Sequence, residues 1–147
     1  MKAREIMTPD PEVVTPEEPI SRAATIMRDY NVGIVPVVSD PDSRNLIGLI
    51  TDRDIAVRHV ADAHMEDCTV GTHMTRDNIE TVEENDDTAT ILAAMKRREV
   101  RRIAVTNKNG KLMGVIAQAD IAVADEIPKE DVAEVVKTVS EPAHPER

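Results

Sequence analysis

An internal repeat constrains this chain more than any other feature. Met7-Thr8 recurs as Met74-Thr75, 67 residues on. Met27, Val32 and Val37 recur as Met95, Val100 and Val105 at an offset of 68, and Gly48, Ile50, Asp54, Ile55, Ala56 and Val57 recur as Gly114, Ile116, Asp120, Ile121, Ala122 and Val123 at 66. Self-similarity at so long a period means one supersecondary unit used twice, with the small drift in offset absorbed by loops. The sequence therefore divides into a first repeat at 1–66, a second at 67–127, and a C-terminal helix and tail at 128–147.

Each copy predicts the order β-α-β-β-α. A brief extended piece (Glu12 to Thr15; Asn78 to Thr81) leads into a turn, Thr15-Pro16-Glu17-Glu18 or Thr81-Val82-Glu83-Glu84, both with capping-box spacing. An amphipathic helix follows over Ile20 to Asn31 or Asp87 to Glu99, with Ala23, Ala24 and Met27 or Ile91, Leu92 and Met95 on one face. Two short apolar strands come next, Ile34 to Val38 with Leu46 to Thr51, and Arg102 to Thr106 with Lys111 to Ala117, joined by polar turns. A second helix starts near Arg53 or Ala119, and Pro128 to Thr138 carries Val132, Val135 and Val136 at helical spacing before a disordered tail over Ser140 to Arg147. With no Trp or Phe and a single Tyr, the core must be built from Val, Ile, Ala, Leu and Met. A repeat of about 60 residues buries only about 60% of its surface, so the two sheets are expected to pack on each other and leave clefts.

Charge and cysteine content narrow the function. Against 18 Lys and Arg stand 28 Asp and Glu, a net charge of -10 that repels polyanions, and with Tyr30 as the single aromatic residue there is no platform for stacking single-stranded bases. Nucleic-acid polymers are thus excluded as partners. The one cysteine, Cys68, can form no intramolecular disulfide, the N-terminus lacks the apolar run of a signal peptide, and no stretch approaches a membrane span. The expectation is a soluble, cytoplasmic protein.

The strings VGIVPVV (32–38) and GLITDRDI (48–55), echoed by VRRIAV (100–105) and GVIAQADI (114–121), resemble a tandem pair of cystathionine β-synthase (CBS) domains, the Bateman module, over most of residues 3–124. With no flanking catalytic or transport domain, the chain is similar to the stand-alone prokaryotic CBS-pair proteins. The resemblance implies an α+β fold with α/β-like character: two repeats packed sheet to sheet with pseudo-twofold symmetry, plus a C-terminal helix. It implies a regulatory sensor with no required cofactor. Such a sensor binds an adenosyl ligand (AMP, ADP or ATP, with NAD and S-adenosylmethionine as further candidates) in the cleft between repeats. Dimerisation into a flat disc of four CBS units and an unknown regulated protein complete the expected partners.

Thr51 and Asp54 fall where a buried strand turns into a helix, at one rim of the expected cleft. A carboxylate there can accept charge-assisted bonds from both ribose hydroxyls. Thr-x-x-Asp is also a helix-capping pattern that needs no ligand, worth about 1 kcal/mol, and on spacing alone the cap is favoured. The resemblance reverses that preference, because family members use the matching Thr and Asp for phosphate or ribose contact. In the second copy Ala117 replaces the hydroxyl while Asp120 remains, which makes any second site the weaker one.

Lys96 to Arg98 fit a helix C-terminus, where cations complement the dipole. Arg101 and Arg102 lie beyond it and match the family's phosphate-contacting basic pair, whereas the first copy has Gly33 and Ile34 in those places. Both asymmetries imply one site, with Thr51 and Asp54 on the ribose side and Arg101 and Arg102 on the phosphates. Adenine contacts are expected from backbone near Val13, Val32 and Gly33, with Ile34, Val35 and Pro36 as apolar walls. Adjacent strand residues face opposite ways, so one of the two arginines is expected to point inward.

His59, His64, Cys68 and His73 fall in the linker region, but their spacing fits no compact zinc motif, and no metal site is assigned. Catalytic signatures are absent: there is no P-loop, no Gly-x-Gly-x-x-Gly, no His-Glu-x-x-His and no nucleophile elbow, so the chain is not read as an enzyme. The competing reading is a nucleotide-independent dimerisation or interaction module, metal- or redox-tuned through Cys68 and the linker histidines. A nucleotide hydrolase ranks behind both for want of a general base with a neighbour.

Overall fold

The computed structural model of the protein describes residues 1–63, 68–77 and 79–141. Its elements run α1 (Ala3–Ile6), β1 (Thr8–Pro9), α2 (Ile20–Tyr30), β2 (Ile34–Val38), β3 (Leu46–Thr51), α3 (Asp52–Asp54) continued by a π-helical segment (Ile55–Val60), α4 (Val70–His73), β4 (Thr81–Glu83), α5 (Thr88–Arg98), β5 (Arg102–Thr106), β6 (Leu112–Ala117), α6 (Gln118–Val123) and α7 (Lys129–Ser140). The chain gathers into two compact units, and these are not the contiguous stretches 1–66 and 67–127 of the sequence repeat. One unit holds Met1–Pro9, Glu80–Asn107 and the chain from Met113 on; the other holds Asp10–Ile79 and Lys108–Leu112. Each unit is completed by the segment that precedes the other repeat in sequence.

The unit of the second repeat is a four-stranded sheet in the order β1-β6-β5-β4. β1 runs antiparallel to β6 with Thr8 opposite Val115, and β4 runs parallel to β5 with Val82 opposite Val105. Ile91, Met95, Ile103, Val105 and Ile116 are fully buried in its core, and α7 adds Val135 and Val139. The N-terminal α1 docks by its first amides, Ala3 N donating to Asp86 O (2.9 Å) and Arg4 N to Glu84 O (3.0 Å).

The unit of the first repeat is built the same way. β2 and β3 pair antiparallel with Ile34 opposite Thr51 and a bulge at Val37/Val38. A parallel bridge from Val14 to Val37 and an antiparallel bridge from Leu49 to Thr75 flank the pair, reproducing with single bridges the order of the other sheet. α4 docks as α1 does, Val70 N donating to Glu18 O (2.8 Å) and Gly71 N to Pro16 O (2.9 Å). Val14, Ile26, Val35, Val37 and Ile50 form the buried core.

These contacts explain the duplicated Met-Thr and Gly positions. A Cβ on Gly48 would lie 2.7 Å from Thr75 O and collide with Met74, and one on Gly114 would lie 2.7 Å from Thr8 O and collide with Met7. Each Met-Thr pair crosses the strand of the other repeat so closely that only glycine fits beneath it.

The local elements follow the predicted periodicity, with corrections at Ala24, at Thr15 to Glu18 and at Thr81 to Glu83. α2 and α5 end on left-handed Asn31 (φ 53°) and Glu99 (φ 52°), and Ile20, Ala23 and Ile26 make the buried face of α2 while Ala24 is exposed. Thr15 to Glu18 is the expected turn but caps no helix: the Glu18 carboxylate accepts from Thr15 N (2.7 Å), and the helix starts only after Pro19. Thr81 to Glu83 is strand β4, because Val82 is buried beside β5, and Asp87 caps α5 by accepting from Thr90 N (2.9 Å). Asn78 and the tail from 142 to 147 lie outside the described residues.

Candidate functional site

The corner between β3 and α3 brings together most of the first-repeat residues singled out in the sequence. Thr51 is extended (φ -111°, ψ 162°) and caps the helix with reciprocal bonds, its Oγ1 accepting from Asp54 N and its own N donating to Asp54 Oδ2, each at 3.0 Å. Asp52 N donates to Gly33 O (3.0 Å), which fastens the entry of β2 to the corner. Gly33, Ile34, Thr51 and Asp54 thus share one end of the β2–β3 pair. Pro36 is buried farther along β2 opposite Leu49, and its carbonyl accepts from Val14 N (3.1 Å), which sets half-buried Val13 beside the same strand. Val32, at the end of α2, is 40% exposed.

Capping does not exhaust the Asp54 carboxylate. Oδ2 holds the Thr51 amide and receives Thr75 Oγ1 at 3.5 Å, while Oδ1 stands 3.8 Å from Arg58 Nε. The Asp54 side chain is only 13% exposed and that of Arg58 is 49%, so their attraction is largely screened. Arg58 also donates to the carbonyls of His73 (3.2 Å) and Met74 (3.3 Å). Sequence reasoning passed over Arg58, although its i+4 position from Asp54 on a helix was a usable signal.

The matching corner of the second repeat is poorer in one respect and richer in another. Asp120 Oδ2 accepts from Ala117 N (2.7 Å), but Ala117 has no oxygen to return the bond. Gln118 N donates to Arg101 O (2.8 Å), the counterpart of the Asp52–Gly33 bond, so Arg101 and Arg102 sit at this corner, both exposed. The other cations of the basic run have acidic partners: Lys96 pairs with Glu134 (3.1 Å), and Arg97 and Arg98 both pair with Glu80. Two unequal corners result, one with a full hydroxyl–carboxylate box, the other with two exposed guanidinium groups.

The linker residues that looked scattered in sequence are gathered in the unit of the first repeat. One ligand atom each from His59, Cys68 and His73 lie within 4.8 Å of one another, with His73 buried and the other two half-buried. His64 lies outside the described residues. No described helix is long and apolar enough to cross a membrane.

The family model for the CBS domain matches residues 3–59 and again 70–126. Hypoxic response protein 1 of Mycobacterium tuberculosis is 31% identical over 140 residues, 95% of this chain and 94% of that protein. A crystal structure of Hypoxic Response Protein I with two coordinated zinc ions superposes with a TM-score of 0.74 at 30% identity, over 87% of this chain and 100% of that one. A CBS domain protein from Pyrobaculum aerophilum complexed with AMP gives a TM-score of 0.78 at 23% identity, over 90% and 99% of the two chains, a likeness of fold. Inosine-5'-monophosphate dehydrogenase of Streptococcus pyogenes is 29% identical over 119 residues, which are 81% of this chain and only 23% of that enzyme.

Proposed function

This chain belongs to the CBS-domain family as a tandem pair, and on that premise we propose that it is a regulatory module that binds an adenosyl nucleotide. The observation that carries the reading is the Thr51–Asp54 corner. A barely exposed carboxylate is held in place by its own cap, with Oδ1 left out of the capping bonds and turned toward a guanidinium. Such an oxygen, already oriented, can accept ribose hydroxyl protons at little cost in side-chain entropy. Gly33 and Ile34 stand beside it, and Val13, Val32 and Pro36 are assigned to the adenine end.

Arg101 and Arg102 of the second repeat supply the cations for the phosphates, as guanidinium forks suit phosphate oxygens. Asp120, lacking a hydroxyl partner at Ala117, belongs to a second and weaker site. The module acts through binding alone, with AMP, ADP or ATP as ligand, as a cytoplasmic homodimer that signals to a separate protein. Its ligand shifts a conformational equilibrium by its difference in affinity for the two states. The AMP carried by a CBS protein of the same fold supports this reading.

The test is a melting-temperature titration of the protein with AMP, ADP, ATP, S-adenosylmethionine and NAD. At a ligand concentration of about 100 Kd the stabilisation is about 2.7 kcal/mol, a rise of roughly 5–11 °C for a chain of this size. Loss of that rise in Arg101→Ala combined with Arg102→Ala places the phosphates. A flat response to every adenosyl compound refutes the proposal and leaves the nucleotide-independent interaction module in its place.

A further inference from the structure

The His59, Cys68 and His73 side chains come from three different places. His59 sits in the π-helical segment Ile55–Val60, Cys68 at the start of the stretch after the linker, and His73 on the last turn of α4. From this arrangement we infer that they form a zinc site, separate from the nucleotide reading and independent of it.

The geometry fits the ion. Zinc bound tetrahedrally at about 2.0–2.1 Å from nitrogen holds two imidazole nitrogens about 3.3–3.4 Å apart, and a nitrogen and a thiolate about 3.6 Å apart. His59 Nδ1 and His73 Nε2 share a long hydrogen bond of 3.4 Å, a separation that is also the tetrahedral bite. Their rings meet edge to face, with centroids 5.1 Å apart and planes at 67°, so that the two nitrogens converge while the ring carbons stay clear. Cys68 Sγ falls within 4.8 Å of both, close enough for a side-chain rotation to bring it onto the ion.

The supports are firm. His73 is 4% exposed between buried Val70 and Met74, and Cys68 packs against the same core. Arg58, next to His59, donates to the carbonyls of His73 and Met74 and so ties the π-helical segment to α4. Ala61 N reaches back to Ala56 O, the i to i+5 bond of a π turn, a distortion that recurs at functional sites in helices. Two imidazoles and one thiolate are a borderline-soft set that suits zinc and leaves the fourth position to water or an outside ligand.

Binding is balanced by proton release. The Cys68 thiol gives up its proton to solvent as the Zn–S bond forms, so affinity rises with pH. The consequence is a metal clamp that ties the chain after the linker to the helix following β3.

The experiment uses tag-free, reduced full-length protein, stripped with a chelator and kept free of nucleotide. Zinc titration is expected to saturate at one ion per chain and to raise the melting temperature by roughly 5–11 °C at about 100 Kd. Cobalt(II) in its place should give tetrahedral visible bands and a thiolate charge-transfer band, which reports Cys68 alone because the chain has one cysteine. Cys68→Ser should abolish that band, and Cys68→Ser and His59→Ala should each weaken zinc at least tenfold with the metal-free melting temperature kept. Nucleotide binding to these variants is not expected to change, so failure here is distinct from failure of the nucleotide reading. No stoichiometric zinc uptake, a cobalt spectrum unchanged in Cys68→Ser, or uptake of copper alone overturns the assignment.

Discussion

Asp54 has two jobs in this account, and two substitutions separate them. Its Oδ2 accepts from Thr51 N at 3.0 Å as half of a capping box, and its Oδ1 is assigned to the ribose. Asp54→Ala removes the capping acceptor and costs about 1 kcal/mol, or roughly 2–4 °C in melting temperature, with or without ligand. Asp54→Asn keeps a carbonyl oxygen that can take the Thr51 amide, so its ligand-free melting temperature should stay close to the parent's. The amide, however, replaces the second carboxylate oxygen with a donor and removes the charge from any bond to a ribose hydroxyl. Bonds to a charged group are worth about 1.5–3 kcal/mol against about 0.5–1.5 for neutral ones. Loss of one or two such advantages amounts to about 1–3 kcal/mol, a fall in affinity of about 5-fold to more than 100-fold. Calorimetric titration of parent and both variants with the best nucleotide measures it. If Asp54→Asn binds within twofold of the parent while Asp54→Ala shows only the capping loss, the carboxylate is a cap and nothing more.

Three further outcomes follow from the same geometry. Ala117→Thr should restore the missing half of the second corner's box and raise the melting temperature by roughly 2–4 °C, the worth of a cap of about 1 kcal/mol; a lowered value would mean that the corner cannot hold a hydroxyl. Gly48→Ala and Gly114→Ala each press a methyl 2.7 Å from a backbone carbonyl, and denaturant unfolding should show a loss of about 1–3 kcal/mol for each, whereas a neutral result would refute the close crossing. The Asp87 carboxyl is held below its ordinary value by the Thr90 backbone N–H first and the Thr90 hydroxyl second. Its contribution is therefore present above about pH 4 and lost as acid carries the pH down through the lowered folded value. Asp87→Asn should flatten that acid limb in urea midpoints taken across the range, and an unchanged limb counts against the assignment.

Much of the fold was legible because its determinants are local and occur twice. Strands β2, β3 and β5 match the runs of β-branched residues, and both long helices end on the residue before a left-handed cap, Asn31 or Glu99. What local pattern does not carry is the choice of partner. Met7-Thr8 reads as a lead-in to the first repeat, yet Thr8 pairs with Val115, and Met74-Thr75 likewise returns to Leu49. The clue lay in the glycines: a glycine inside an apolar strand marks a close backbone approach, and each copy of the repeat has one at the same place. Only a reading that asked what crosses Gly48 and Gly114 would have found that each sheet is completed by the chain ahead of the other repeat.

The histidines and the cysteine of the linker region stood out in the sequence, but no site could be assigned from their spacing, for a different reason. Compact zinc motifs are recognisable because two ligands share one turn or one hairpin, which fixes their spacing. Here the three ligands come from separate places in the chain, and their meeting depends on two events with no short-range signature. The first is the return of the linker to β3 at Thr75, which sets α4 alongside the π-helical segment. The second is the π turn itself. An α-helix advances about 100° per residue, so the added residue of an i to i+5 turn redirects every side chain after it by that order. Without the distortion His59 would leave the helix on another face than the one His73 meets, and the 3.4 Å approach of their nitrogens would be lost. Spacing rules fail for such a site by construction, and the signal that remains is compositional: three of the chain's four histidines and its only cysteine lie within a stretch of 15 residues.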